Sequence, residues 1–191
     1  MPDPHDALRE DPQLGPLVDE HGELELEQAD DPFERLVVSI VRQQVSMDAA
    51  AAIRERLFDA VEVTPEGVAG ADPDVLRDAG LSSQKTDYVR NVAEAFRERD
   101  WDRSSFAALS DDEVRSELTG ITGVGDWTAE MFLMFALGRE DVFPVGDLGI
   151  RKGMQSLYGE ETTRAEMRDI AAQWRPYRSY ASLYVWRAYE G

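Results

Sequence analysis

Helix-start signals recur at short intervals along this 191-residue chain, and they limit its fold more than any other feature. Such a signal is a Ser, Thr or Asp that can cap a helix, and it is strongest where proline follows directly or glutamate follows three residues later. The clearest are Asp31-Pro32, Ser46, Thr64-Pro65, Asp72-Pro73, Ser82 or Ser83, Ser110 with Glu113, and Thr163 with Glu166. Apolar residues follow at helical spacing, the loops are short, and no strand longer than a few residues is evident. The pattern predicts an all-α fold.

Residues 1–30 differ from the rest, because they are rich in proline, aspartate and glutamate. From Glu23 to Glu27 leucine alternates with glutamate, which is typical of a small strand or an extended segment. We therefore expect an N-terminal arm over 1–30 and a helical domain over 31–191.

The formal net charge of −19 argues against nucleic acid, because proteins bind DNA mostly through lysine and arginine on phosphate. The acid is nevertheless spread along the chain, and Lys85 and Lys152 are its only lysines. We interpret this pattern as adaptation to high salt, where charge repulsion is screened over ~3 Å at 1 M. The charge therefore does not exclude a DNA-binding protein.

The lack of cysteine and of long apolar segments excludes several classes of protein. The chain has no cysteine, which excludes disulfides, thiol nucleophiles and cysteine-bound iron–sulfur clusters and leaves oxygen ligands, His5 or His21 for any metal. No stretch approaches the ~20 apolar residues that cross a bilayer, and no apolar signal segment is present at the N-terminus. We expect a monomeric, cytoplasmic protein that does not enter a membrane.

The segment from Leu118 to Asp147 contains two motifs with a candidate role in binding or catalysis. Gly123-Val124-Gly125 precedes a predicted helix that Gly138 stops, so main-chain amides and a positive dipole end would face a ligand such as phosphate. Taken alone, a glycine pair before a helix is most often an ordinary turn. Further on, Val145-Gly146-Asp147 ends in a carboxylate that is either functional or simply the N-cap of the next helix.

These segments together resemble the helix-hairpin-helix/GPD superfamily of DNA glycosylases, in which hairpin amides hold a DNA phosphate and an aspartate drives base excision. The C-terminal string WRPYRSYASLYVW, residues 174–186, is similar to the signature of its 3-methyladenine DNA glycosylase II type. The resemblance covers about residues 32–190. It implies two helical lobes with a cleft between them, about 31–45 plus 139–191 and about 46–138, without the N-terminal β domain of larger relatives.

The resemblance also implies the residues of the base site. Asp147 would be the catalytic carboxylate, stabilising positive charge on the sugar and orienting or deprotonating water. Trp127, Trp186, Gln43 and Met131 would bind the base, although a core position explains Trp127 and Met131 as well. Alkylation leaves 3-methyladenine or 7-methylguanine cationic, and a cation over an indole face gains ~0.5–2 kcal/mol.

Other residues are expected at the DNA backbone. Gly123, Gly125 and Thr128 would contact the DNA at the hairpin. Gln44 matches the position that fills the gap left by the extruded base, where the family often has a bulkier apolar side chain; a solvated surface glutamine is the alternative.

Two further expectations concern the hairpin. Bifunctional members carry a lysine immediately before the Thr-Ala of the motif, whereas this chain has Trp127, so we expect a hydrolytic enzyme without lyase activity. The carbonyl groups of Thr119, Ile121 and Val124 match the positions that bind sodium or potassium in the family, while catalysis itself needs no cofactor.

The sequence thus predicts a monofunctional DNA glycosylase that flips alkylated purines out of double-stranded DNA and hydrolyses the N-glycosidic bond. Two alternatives remain open. The substrate could be another base, such as hypoxanthine or a mismatched pyrimidine, or the chain could be a non-catalytic hairpin module that only binds DNA.

Overall fold

The computed structural model describes residues 3–190, and in that part of the chain helices are the only regular secondary structure, with no β-strand. The helices are α1 (Pro4–Arg9), α2 (Leu14–His21), α3 (Pro32–Arg42), α4 (Met47–Ala60), α5 (Pro65–Gly70), α6 (Pro73–Asp78), α7 (Ser83–Arg99), α8 (Arg103–Ala107), α9 (Asp111–Thr119), α10 (Asp126–Phe135), α11 (Leu148–Tyr158), α12 (Arg164–Ala171) and α13 (Arg178–Glu190), with a 3₁₀ turn at Ala172–Trp174. The predicted all-α class is confirmed. None of these helices is long and apolar enough to cross a membrane.

The capping residues act as the sequence predicts. The Ser46 side chain accepts the main-chain N–H of Ala49 at the start of α4, and Ser82 does the same for Lys85 at the start of α7. Ser110 and Thr163 each form a complete capping box with the glutamate three residues later. These contacts satisfy amides that the first turn of a helix leaves without a partner, so each helix begins at its cap.

The N-terminal segment differs from the expected arm or strand, because it folds into α1 and α2. Its side chains and main chain are tied to distant residues of the chain. Asp11 accepts the indole N–H of Trp174 at 2.9 Å, and the Tyr184 hydroxyl donates to the carbonyl of Gly22 at 2.8 Å. The alternating residues 23–27 carry no regular secondary structure.

Contacts divide the described chain into two units, and the division differs from the expected lobes. One unit holds the residues up to Gln28 together with those from Gly138 onward, and we call it the terminal unit. The other, Ala29–Leu137, is the central unit. Helix α3, expected with the chain ends, belongs to the central unit because it packs against α7 and α10.

Each unit has its own core. In the central unit, aromatic rings pack edge to face, with Phe33 and Phe96 5.3 Å apart and Phe106 and Phe132 5.1 Å apart. In the terminal unit, α11 packs closely on α13. A side chain at Gly153 of α11 would place its Cβ 2.1 Å from the Val185 carbonyl oxygen of α13, so only glycine permits this approach.

Candidate functional site

Asp147 lies at the start of α11, and its carboxylate is held by two donors. Its Oδ1 atom accepts the main-chain N–H of Ile150 at 3.0 Å, which makes it the N-cap of the helix. The same atom accepts the indole N–H of Trp186 at 2.8 Å. Both residues are half-buried. The capping explanation and the functional one are therefore compatible, since the cap and the indole fix a carboxylate that remains partly accessible.

A glycine makes room for the indole beside this carboxylate. A Cβ at Gly149 would lie 2.8 Å from Cδ1 and 3.1 Å from Nε1 of Trp186. Real Cβ atoms do not approach other atoms at the first of these distances, so a larger residue would displace the ring. The close placement of Asp147 and Trp186 thus depends on glycine at position 149.

The residues of the C-terminal signature hold the segment that leads to Asp147. Arg178 donates from Nε to Asp141 Oδ1 at 2.6 Å and from its NH2 group to Oδ2 at 3.1 Å. Ser179 is fully buried; its hydroxyl donates to the Arg139 carbonyl at 2.6 Å and accepts the Val142 N–H at 3.0 Å. The signature therefore fixes residues 139–142 onto the first turn of α13.

The predicted hairpin of the central unit lies between α9 and α10. Gly123 has a φ of +105°, and a Cβ there would lie 2.2 Å from Cγ of Tyr88, so the position requires glycine on both counts. Gly125 is the N-cap of α10, where no side chain caps the helix and an added Cβ would meet nothing within 4 Å. The first-turn amides of α10 thus lack a side-chain cap on an open side of the hairpin.

Gln43, the residue that follows α3, forms two hydrogen bonds to the hairpin segment and the first turn of α10. Its Nε2 atom donates to the Gly123 carbonyl at 3.0 Å and to Thr128 Oγ1 at 3.0 Å, so both of its N–H donors have partners. Thr128 as a whole is 1% exposed, so its hydroxyl lies inside the protein. The DNA contact predicted for Thr128 stays a prediction. The base-binding role predicted for Gln43 stays a prediction.

The remaining predicted residues lie on α10 and at the α3–α4 junction. Trp127 is half-buried in the first turn of α10, whereas Met131, one turn later, is 3% exposed and belongs to the interior. Gln44 is exposed and has a φ of +55°, a left-handed conformation that is uncommon for a residue other than glycine. The junction thus presents Gln44 to solvent in a strained backbone conformation.

The hairpin carbonyls that were predicted to bind a monovalent cation differ in their hydrogen bonds. The Ile121 carbonyl accepts the Val124 N–H at 3.0 Å, whereas no hydrogen bond within residues 3–190 reaches the carbonyls of Thr119 and Val124. Since a carbonyl oxygen has two lone pairs, each of the three retains at least one that no hydrogen bond within the described residues uses. In the described residues, no group of three or more His, Asp or Glu side chains is placed to hold a metal.

Comparison with known proteins decides the family. A family profile described as HhH-GPD superfamily base excision DNA repair protein matches residues 37–176, most of the chain. The chain belongs to this superfamily. The match includes the hairpin and Asp147 but ends before Trp186.

Individual members of the superfamily are similar over nearly the whole chain. DNA-3-methyladenine glycosylase 1 of Schizosaccharomyces pombe is 33% identical over 168 residues, which are 82% of this chain and 72% of that protein. The solved 3-methyladenine DNA glycosylase Mag1 of the same yeast, in complex with abasic DNA, has a TM-score of 0.88 and 30% identity and covers 96% of this chain and 95% of its own. A DNA-3-methyladenine glycosidase of Bacillus halodurans has a TM-score of 0.83 and 36% identity and covers 98% and 89%.

Other relatives are longer than this chain. YfjP of Bacillus subtilis is 28% identical over 188 residues, and the chain spans 66% of its length. The chain spans 57% of DNA-3-methyladenine glycosylase 2 of Escherichia coli, which is 30% identical over 168 residues. Activity, substrates and partners are therefore argued below as proposals.

Sequence reasoning missed three features of this HhH-GPD site. Gly149 makes room for Trp186, Tyr88 packs against Gly123, and Asn91 donates to the hairpin carbonyl of Thr122 at 3.1 Å. The glycine carried a weak signal, because glycine in the first turn of an amphipathic helix calls for a packing reason. Nothing in the local pattern marks Tyr88 or Asn91, since their partners lie more than 30 residues away.

Proposed function

We propose that this chain is a DNA glycosylase of base excision repair that releases alkylated purines, of the 3-methyladenine and 7-methylguanine class, from double-stranded DNA inside the cell. The observation that carries the proposal is the Asp147 carboxylate, fixed by the Ile150 N–H and the Trp186 indole. Breaking the N-glycosidic bond puts positive charge on the sugar, and a preorganised anion stabilises that charge. A carboxylate that also caps a helix requires little reorganisation during the reaction.

The hairpin is proposed to hold one DNA phosphate. The first-turn amides of α10 have no side-chain cap, and the open side of Gly125 permits close approach. An ion bound by the carbonyls of Thr119, Ile121 and Val124 would add positive charge beside that phosphate. Asp126, exposed in the same turn, opposes an anion, so main-chain amides and the ion would supply the attraction in this acidic protein.

The base is proposed to be recognised by indole faces. Trp186 donates its indole N–H to Asp147, and stacking on a base would use a face of the same ring. Trp127 is half-buried in the first turn of α10. Because alkylation makes the purine cationic and weakens the glycosidic bond, electron-rich rings and one carboxylate select the damaged base without many hydrogen bonds.

The reaction is proposed to be hydrolytic. The residue before Thr128 is tryptophan and has no amine that could attack the sugar, so water is the nucleophile. Incubation with abasic product and borohydride should therefore trap no covalent adduct. A trapped protein–DNA adduct would contradict the hydrolytic mechanism.

The decisive test is the release of free base from a methylated duplex by wild type and by Asp147→Asn, at low salt and in molar salt. Asparagine caps a helix as well as aspartate does, so folding is preserved while the charge is lost. We expect the single-turnover rate to fall by about 10²–10³, as for loss of one preorganised electrostatic group.

The matched control for this variant is Asp31→Asn, which changes the N-cap of α3 in the same way. It should leave the release rate unchanged. If Asp147→Asn released methylated purines at the wild-type rate, the mechanism would be wrong. Binding of damaged duplex without any release by wild type would favour the non-catalytic module, and a panel of single-lesion duplexes would reveal hypoxanthine or a mismatched pyrimidine as the substrate.

A further inference from the structure

The indole of Trp186 contacts the carboxylate through its edge and not through its face. The donor is Nε1–H, and the acceptor is the same Oδ1 atom of Asp147 that caps α11. An N–H bound to a carboxylate is a strong hydrogen bond, and tryptophan can only donate through this atom. The contact therefore constrains the rotation of the carboxylate in a way that stacking on a base would not require.

Helix α13 carries Trp186 and also fixes the chain segment that leads to Asp147. At its first turn, Arg178 and Ser179 hold residues 139–142 through Asp141 and through the main chain. Two turns later, the Trp186 indole reaches the carboxylate itself. One helix thus sets both the main chain before the aspartate and the orientation of its side chain.

The spacing between α11 and α13 is set by two glycines on one face of α11. Gly153 lets the Val185 carbonyl approach, and one turn earlier Gly149 lets the ring of Trp186 approach. Residues four apart on a helix lie on the same face, so both glycines serve a single close contact. This geometry keeps the indole N–H at hydrogen-bonding distance from Asp147.

We propose that Trp186 is a positioning residue for Asp147 and that its indole N–H, held in place by the glycine at 149, orients the carboxylate for the reaction. The inference rests on the proposed function, because it assigns a role in the same site. It separates two properties of one side chain: the ring can stack on a base, and the N–H acts through the aspartate. Substitution by phenylalanine removes the second property and keeps an aromatic ring.

The test is the single-turnover rate of base release from methylated duplex by Trp186→Phe, measured beside the dissociation constant for duplex with an abasic site. Loss of a hydrogen bond to a charged group predicts a rate lower by roughly 10- to 100-fold. The dissociation constant should stay within about twofold, since the hydrogen bond acts on the reacting carboxylate rather than on the DNA backbone. A wild-type rate for Trp186→Phe would overturn the proposal while leaving the proposed function intact.

The matched control is Trp174→Phe. Trp174 also donates its indole N–H to a carboxylate, Asp11 Oδ2, at 2.9 Å, and this pair lies outside the proposed site. This variant should lower the unfolding midpoint and leave the release rate unchanged. An equal loss of rate in both variants would mean that general destabilisation is the cause, and the proposal would fail.

A second substitution disturbs the hydrogen bond between Trp186 and Asp147 without changing the tryptophan. Gly149→Ala adds a Cβ that would lie 2.8 Å from Cδ1 of Trp186 and 3.1 Å from both its Nε1 atom and Asp147 Oδ1, so both partners of the hydrogen bond must shift. We expect a similar loss of rate, whereas Gly70→Ala, where an added Cβ meets nothing within 4 Å, should have no effect. Because both changes break one contact, the double variant Gly149→Ala with Trp186→Phe should be no slower than the worse single variant. Losses that multiply would contradict the inference.

Discussion

The two hairpin glycines should respond in opposite ways to the same substitution. Gly123 has a φ of +105°, and its Cβ would lie 2.2 Å from Cγ and 2.6 Å from Cβ of Tyr88. The tyrosine cannot easily give way, since the atoms that would clash are Cβ and Cγ, next to its main chain, and not the far end of the side chain. A strained backbone conformation costs ~1–3 kcal/mol and overpacking costs ~1–3 kcal/mol. Gly123→Ala should therefore lower the free energy of unfolding by about 2–6 kcal/mol, a large part of the ~5–15 kcal/mol that a domain has.

Gly125→Ala is the contrasting variant. Its φ of −96° suits any residue, and the added Cβ meets nothing within 4 Å, so the free energy of unfolding should change by less than about 0.5 kcal/mol. The same methyl group would lie where a DNA phosphate approaches the hairpin amides. We expect affinity for damaged duplex to fall by about tenfold or more, which corresponds to ~1.4 kcal/mol.

Urea unfolding followed by circular dichroism measures the first effect, and fluorescence anisotropy with a labelled abasic duplex measures the second. Both variants should be compared at one fixed salt concentration, because phosphate contacts weaken as salt rises. Wild-type stability of Gly123→Ala would refute the steric argument. If Gly125→Ala bound the duplex with wild-type affinity, the proposal that the hairpin amides bind a DNA phosphate would be refuted, whatever the outcome for Gly123.

Three further outcomes follow from individual side chains. Trp127→Ala should reduce the release of cationic bases more than that of neutral bases, by the ~0.5–2 kcal/mol of a cation–π contact, and equal losses would remove that contact from the mechanism. Ser179→Ala leaves a buried main-chain N–H unpaired and should cost ~1–3 kcal/mol in urea unfolding, more than Ser182→Ala, which removes only a donor within its own helix. The hydrogen bond from the Ser104 side chain, with others from the same turn, lowers the pKa of Asp102 to about 2, below the unfolded value of ~3.9. Its stabilising effect is therefore complete above pH ~4 and lost toward pH 2, so the gap in thermal midpoint between wild type and Asp102→Ala should narrow over that window; a constant gap would contradict this assignment.

Local signals predicted most of the helices in this chain. Ser46, Ser82 and Ser110 could be assigned as caps because a cap and its amide lie three residues apart, so the sequence itself contains both partners. The same reasoning found Asp147 as the start of α11 and the hairpin before α10. The family resemblance then predicted the superfamily correctly, and the high-salt habitat stays a prediction.

Contacts over long separations were not predictable in this way. The N-terminal segment was expected to be an arm, yet it forms helices that are tied to Trp174 and Tyr184, more than 150 residues later. Helix α3 was expected with the chain ends, yet it packs with α7 and α10. Amphipathic helices show which face is buried and not which partner buries it, so the choice of neighbour belongs to the tertiary structure.

The sequence alone determined the helices, the glycine hairpin and the aspartate at a helix start, because each depends on residues within one or two turns. Only the tertiary structure decided what surrounds that aspartate. The indole N–H that reaches it comes from Trp186, 39 residues away, and the space for that ring comes from Gly149. A hydrogen bond at 2.8 Å requires two helices to pack at a fixed spacing, and that spacing depends on all the side chains between them.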